Sequence, residues 1–209
     1  MQNVVSPLPL LEGPDDFLAL VDKLGYEEGA NFPNTYQGRR LVSKIRGWAP
    51  VNKKLVDRLA EYLNEAGKAV ELYAGRGELT HWLRDRGVDI DAVDNRTSYY
   101  EKDVPSFTEI IDCCVNEFDL SPYSVVIVSW PPADCEWFGG ILNAMRPGQH
   151  LVFIGTEYQS TGKEEDLDYM FEHFETNRVW DEKINSDGPF TVIPKIDAYD
   201  DCIHLLIKK

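Results

Sequence analysis

The sequence predicts an α/β fold on an open, mostly parallel sheet, and three stretches carry that expectation. Residues 68–94, KAVELYAGRGELTHWLRDRGVDIDAVD, read as strand, glycine turn, helix and strand. Residues 124–128 form a continuous run rich in valine and isoleucine that meets two prolines, and residues 151–154 form a second apolar run. Short uninterrupted apolar runs between helical periodicities suit strands of a sheet covered on both faces.

A chain of 209 residues with 43% hydrophobic content can bury one core. The expected organisation is an N-terminal helical or irregular extension, or lid, over residues 1–49, followed by one domain over residues 50–209. No apolar run approaches 18 residues and no signal-peptide pattern opens the chain, so a soluble, cytoplasmic protein with no membrane partner is expected. Cys113, Cys114, Cys135 and Cys202 have no CxxC spacing, which points to reduced thiols and neither a disulfide framework nor a metal site. The net charge of −15 argues against non-specific binding to a nucleic-acid backbone.

Residues 15–24 place Phe17, Leu20, Val21 and Leu24 at helical spacing. Residues 26–48 hold Tyr36, Arg39, Arg40, Lys44 and Arg46, the basic concentration of an acidic chain. This segment reads either as a solvated surface or as a lid or contact for an anionic substrate. Asn52 can cap a helix whose apolar face is Leu55, Val56, Leu59, Tyr62 and Leu63, and Gly67 stops it.

The strand at 69–73 carries one acid, Glu71. Gly75 and Gly77 allow a tight turn and close approach of a ligand. Leu79, Trp82 and Leu83 share a helical face, and Gly87 can cap its end. A strand at 88–93 runs into Asp94, where a carboxylate can accept from both hydroxyls of a ribose. The third glycine of a dinucleotide fingerprint is replaced by Thr80, and Glu71 would repel a pyrophosphate while suiting a ligand with a cationic end. The residues alone leave an ordinary α/β turn without ligand open.

Residues 99–120 are the least readable. A strand near 108–111 would put Asp112 and Cys113 at its end, where an acid and a backbone N–H could read an adenine edge. The 124–128 strand leads into Ser129-Trp130-Pro131-Pro132, and two prolines force the chain out of the sheet. That exit is the carboxyl end of a central strand, where open α/β sheets bind ligands. A helix is expected at 134–145. A capping box at 161–164 would open a helix carrying Leu167, Met170, Phe171 and Phe174, and strands are expected at 178–184 and 202–208.

Residues 50–209 resemble class I S-adenosylmethionine-dependent methyltransferases. The match lies in VELYAGRG (70–77), AVD (92–94), VVIVSWPP (125–132) and LNAMRPGQHLVFIG (142–155), in that order. More narrowly, GWAPVN (47–52), SWPP and RPGQHLVFIGTE (146–157) resemble a group of uncharacterised methyltransferase-like proteins with a WPP motif. The resemblance implies a Rossmann-like seven-stranded sheet in the order 3-2-1-4-5-7-6, strand 7 antiparallel, with helices on both faces. It implies that Glu71, Tyr73, Ala74, Gly75 and Gly77 hold the methionine end of S-adenosyl-L-methionine, Asp94 its ribose, and Asp112 with Cys113 its adenine. Ser129, Trp130, Pro131, Pro132 and Asp134 would face a methyl acceptor of unidentified class, a small molecule or a specific nucleic-acid or protein target.

Two departures stand out. Tyr73 occupies the usual first glycine of the turn, as a Tyr does in some RNA uridine C5-methyltransferases. Trp130 and Ala133 occupy the places where amino-methyltransferases carry Asp or Asn and an aromatic, and an indole cannot accept a hydrogen bond from a target nitrogen. Ser129, the Pro131 carbonyl or Asp134 are the substitutes, and Asp134, Glu157 and His81 the candidate bases. Cys135 lacks the context of covalent C5 chemistry and reads as an ordinary thiol. A non-catalytic binding or interaction protein that keeps the fold is the alternative, and a nucleotide-dependent oxidoreductase is disfavoured by Thr80.

Overall fold

The structure is a computed structural model. It describes residues 51–95, 105–133, 135–156, 161–180 and 201–209, with shorter stretches between 4 and 46.

Helix α1 (Lys53–Ala66) begins as the sequence requires: the Asn52 side chain accepts from the Leu55 N–H at 2.9 Å. Strands β1 (Ala69–Leu72) and β2 (Ile90–Asp94) flank helix α2 (Glu78–Asp85). Then follow β3 (Ile111–Asp112), β4 (Val125–Ser129), helix α3 (Phe138–Ala144), β5 (His150–Thr156), helix α4 (Glu164–His173), β6 (Phe174–Thr176) and β7 (Asp201–Lys208). They form one seven-stranded sheet in the order β3-β2-β1-β4-β5-β7-β6. The pairs β1–β2, β1–β4, β2–β3 and β4–β5 are parallel, and β7 runs antiparallel to both β5 and β6.

Alternation along the strands divides the core into two layers. Ala69, Val125, Ile127, Val152 and Ile154 pack under α1 and α2 with Leu55, Leu59, Leu79 and Leu83. Val70, Leu72, Val126, Val128 and Phe153 pack under α3 and α4 with Phe138, Leu142, Leu167 and Met170. Each of the Val, Leu, Ile, Phe and Met side chains among them contributes roughly 1.5–3 kcal/mol on burial. No described helix is long and apolar enough to cross a membrane.

Five expectations change. β2 begins at Ile90, and β3 comprises Ile111 and Asp112, later than the strand expected at 108–111. α3 starts at Phe138, leaving Trp137 outside and 39% exposed. The capping box at 161–164 does not form. Thr161 Oγ1 instead donates to the Thr156 carbonyl at 2.7 Å and accepts its N–H at 2.9 Å, and Lys163 precedes the helix without a side-chain cap. Gly155 makes room for this: a Cβ there would stand 2.6 Å from Thr161 Oγ1. Finally, Arg178, Val179 and Trp180 are helical, and the strand that closes the sheet is Phe174–Thr176, anchored by the buried Phe174 ring. Residues 181–184 of the expected strand lie outside the described residues.

Candidate functional site

β1 and β4 are parallel neighbours, with Leu72 opposite Val128, and both leave the sheet at the same edge. They leave by the same device. Tyr73 (φ 57°) and Trp130 (φ 50°) both take the left-handed conformation that side chains other than glycine rarely adopt. Such residues cost about 1–3 kcal/mol each and collect at functional sites. Gly75 (φ 55°) and Gly77 (φ 76°) follow, so every second residue of the 73–77 turn is left-handed. Tyr73 thus has the backbone of the glycine it replaces.

The turn is tied to β2. Ala74 N–H donates to the Val93 carbonyl at 3.2 Å, and Gly75 N–H donates to the Asp94 carboxylate at 2.9 Å. Gly77 has a packing reason beside its φ: a Cβ would stand 2.6 Å from Thr108 Cγ2 and 2.8 Å from Ile110 Cδ1. Residues 105–110 are clamped on the turn. Phe107 N–H donates to the Arg76 carbonyl, Arg76 Nε donates to the Pro105 carbonyl, and the guanidinium lies 4.0 Å from the Phe107 ring centre. His81 Nδ1 shares a 2.9 Å hydrogen bond with the Phe107 carbonyl, which ties this candidate base to the clamp.

Glu71 is buried beneath the turn. Its Oε2 accepts from the Thr80 N–H (3.1 Å) and the Thr80 hydroxyl (2.6 Å). Burial pushes its carboxyl up to about 7 against the pull of those two bonds. Thr80, standing where a third glycine would, is therefore the partner of Glu71. Two residues earlier in the chain, Glu78 opens α2 and is also buried. Arg46 Nη2 lies 2.6 Å from Glu78 Oε1, and Arg46 Nη1 donates to the Pro9 carbonyl at 3.0 Å. Burial drives Glu78 up to about 7, and Arg46 opposes it.

This pair was hidden from sequence reasoning, because nothing local links residue 46 to residue 78. It also corrects one reading of the basic segment: Arg46 is spent inside the protein. Tyr36, Arg39, Arg40 and Lys44 lie outside the described residues.

At the other strand ends, Asp94 and Asp112 are register partners across β2 and β3. Asp112 is exposed, and the half-buried Cys113 thiol donates to the Cys114 carbonyl at 3.3 Å. Ser129 is 4% exposed, and its hydroxyl has no hydrogen-bond partner among the described residues. Trp130 N–H donates to the Ile154 carbonyl at 2.7 Å, and its ring packs on the α1/α2 layer. The Pro131 carbonyl accepts from Gly162 N–H at 3.3 Å, and the Pro132 carbonyl from Cys135 N–H at 3.0 Å. The Tyr73 hydroxyl and the buried Cys135 thiol are 3.0 Å apart, so the glycine turn touches the WPP turn directly. Asp134 and Glu157 lie outside the described residues.

The arrangement sets Glu71, Tyr73, Ala74, Gly75, Gly77 and Asp94 around one strand-end turn, with Asp112 and Cys113 on one side and Ser129, Trp130, Pro131 and Pro132 on the other. Such an edge can hold a ligand across β2, β1 and β4.

No protein-family model matches the chain, and no curated protein matches it by sequence. Solved structures do. One is the Burkholderia thailandensis 1,6-didemethyltoxoflavin-N1-methyltransferase with bound 1,6-didemethyltoxoflavin and S-adenosylhomocysteine: 16% identity over 99% of this chain and 94% of that one, with a TM-score of 0.50. Weaker likenesses include a TehB-like methyltransferase from Corynebacterium glutamicum (12% identity, 76% and 90% of the two chains, TM-score 0.48). Another is the glycopeptide N-methyltransferase MtfA (17% identity, 50% of this chain, TM-score 0.38), of which the match spans 55%. With the strand order β3-β2-β1-β4-β5-β7-β6 and β7 antiparallel, the chain has the Rossmann-like fold of class I S-adenosylmethionine-dependent methyltransferases.

Proposed function

We propose that this protein binds S-adenosylmethionine at the 73–77 turn and directs methyl transfer to an acceptor held against the WPP turn. The observation that supports this most is the pair of carboxyls at the turn, Glu71 buried below it and Asp94 bound to Gly75 N–H. In a phosphate-binding turn the backbone N–H groups point at the anion. Here one of them already meets a carboxylate, and a pyrophosphate would meet two acids. S-adenosylmethionine has an ammonium, a sulfonium, one carboxylate and a ribose diol, and no phosphate, so its net positive charge suits this edge.

In this reading Glu71, Tyr73, Ala74, Gly75 and Gly77 hold the methionine end, Asp94 the ribose, and Asp112 with Cys113 the adenine. When bound, the group supplies a methyl on an electrophilic sulfonium. Trp130, Pro131 and Pro132 wall the acceptor and exclude water, and Asp134 is the residue to take a proton from a hydroxyl or amine acceptor.

A second reading, a binding protein that keeps the fold without transfer, draws on the same turn. The Trp130 indole cannot accept a hydrogen bond, and one of the two lone pairs of the Pro131 carbonyl is already taken by Gly162 N–H at 3.3 Å. Calorimetry with S-adenosylmethionine, S-adenosylhomocysteine and NAD tests the first half of the proposal, and turnover across acceptor classes the second. Binding of NAD alone would sink it; binding without turnover would favour the second reading.

A further inference from the structure

Ser129 and Glu71 share one face of the sheet. Glu71 is the register partner of Ile127, and Ser129 stands two residues beyond Ile127 on the same strand. Ala69, Val125 and Ile127, in phase with these two residues, all lie in the layer under α1 and α2. Ser129 is therefore directed to the side where α2 leaves the glycine turn. The chain turns away only at the next residue, Trp130. Pro131 and Pro132 then lead toward Thr161 and Gly162.

Both groups are buried, at 4% and 2% exposure, but they are satisfied differently. Both Thr80 bonds to Glu71 fall on Oε2, which fixes the carboxyl in place. The Ser129 hydroxyl is enclosed with no partner among the described residues. Native interiors keep few such hydroxyls, and one at the ligand-binding edge of a sheet calls for a ligand group.

We propose that Ser129 belongs to the donor side of the site, its hydroxyl joining the Glu71 carboxyl as the polar floor that receives the ammonium of the methionine end. A hydroxyl offers two acceptor lone pairs, and an ammonium offers three donors, so one cation can meet both groups. This rests on the S-adenosylmethionine reading and reassigns Ser129 from the acceptor wall expected from its motif.

The test compares two ligands on the full chain by calorimetry: S-adenosylhomocysteine, which carries the amino-acid end, and 5′-methylthioadenosine, which lacks it. Ser129→Ala should weaken S-adenosylhomocysteine about 10-fold, as for a lost hydrogen bond to a charged group, and leave 5′-methylthioadenosine unchanged. Ser129→Thr, which keeps a hydroxyl, should restore most of the difference. The apo melting temperature of Ser129→Ala should not fall, since the change removes an unpartnered hydroxyl. If wild type binds S-adenosylhomocysteine and Ser129→Ala affects both ligands equally or neither, the assignment of Ser129 is wrong. If wild type binds neither ligand, the reading beneath it is wrong as well.

Discussion

The backbone N–H of Gly75 donates to the carboxylate of Asp94 at 2.9 Å, joining the turn after β1 to the end of β2. Asp94 therefore has a structural partner within the turn as well as a proposed ribose. Asp94→Ala should weaken S-adenosylmethionine binding by roughly 1–3 kcal/mol. Asp94→Asn keeps an oxygen for Gly75 and should lose less. An unchanged dissociation constant in a folded Asp94→Ala protein would remove Asp94 from the site.

Gly77→Ala should be costly to the fold. The new Cβ would stand 2.6 Å from Thr108 Cγ2 and 2.8 Å from Ile110 Cδ1, at φ 76°. Overpacking adds about 1–3 kcal/mol, and the left-handed backbone roughly 1–2 kcal/mol more. Urea denaturation measures the sum; a loss below 1 kcal/mol would show that residues 105–110 yield easily.

The parts of the fold that read clearly were those with local causes. Asn52 caps α1 because a side-chain oxygen three residues from an amide needs no distant partner. The β1–β2 unit and the β4 exit were visible because glycine and proline act on their own backbone. What stayed hidden depends on distant contacts. Thr161 looked like a helix cap, yet Gly155 offers it a buried niche against β5. Phe174 looked like the end of a helical stripe, yet pairing with β7 draws it into the sheet. In the site, the acids at 71 and 94 stood out as residues beside a turn, whereas the Tyr73–Cys135 and Arg46–Glu78 contacts span 62 and 32 positions.

Stability should depend on pH through the buried Glu71. Its folded value of about 7 lies above the usual 4.5, so the folded state holds the proton more tightly than the unfolded chain does. Below pH 4.5 both states are protonated. As pH rises from there to about 7 the unfolded chain ionises first, and this contribution to stability is lost. Thermal midpoints of Glu71→Gln should show a flatter decline across that window than wild type, and a steeper one would reverse the assignment. Glu78→Gln has a different consequence: it leaves Arg46 buried without its carboxylate, which typically costs about 3–5 kcal/mol.

On the acceptor side, Trp130→Ala and Asp134→Asn should lower turnover much more than they change S-adenosylmethionine affinity. Loss of a positioned proton acceptor costs about 10²–10⁴-fold in rate, which is the range expected for Asp134→Asn. Both quantities must be measured on each variant with an identified acceptor. Loss of donor binding in proportion to rate would move these residues into the cofactor pocket. Full rate in both would make the WPP turn scaffold and turn attention to Tyr36, Arg39, Arg40 and Lys44.

The central claim is that two carboxyls at the strand-end turn select a cationic nucleoside ligand over a dinucleotide. Titration of the purified protein with S-adenosylmethionine and, separately, with NAD in a calorimeter measures this directly. The account predicts saturable one-to-one binding of S-adenosylmethionine, weakened by Asp94→Ala, and no heat of binding with NAD. Saturable binding of NAD with none of S-adenosylmethionine would contradict it.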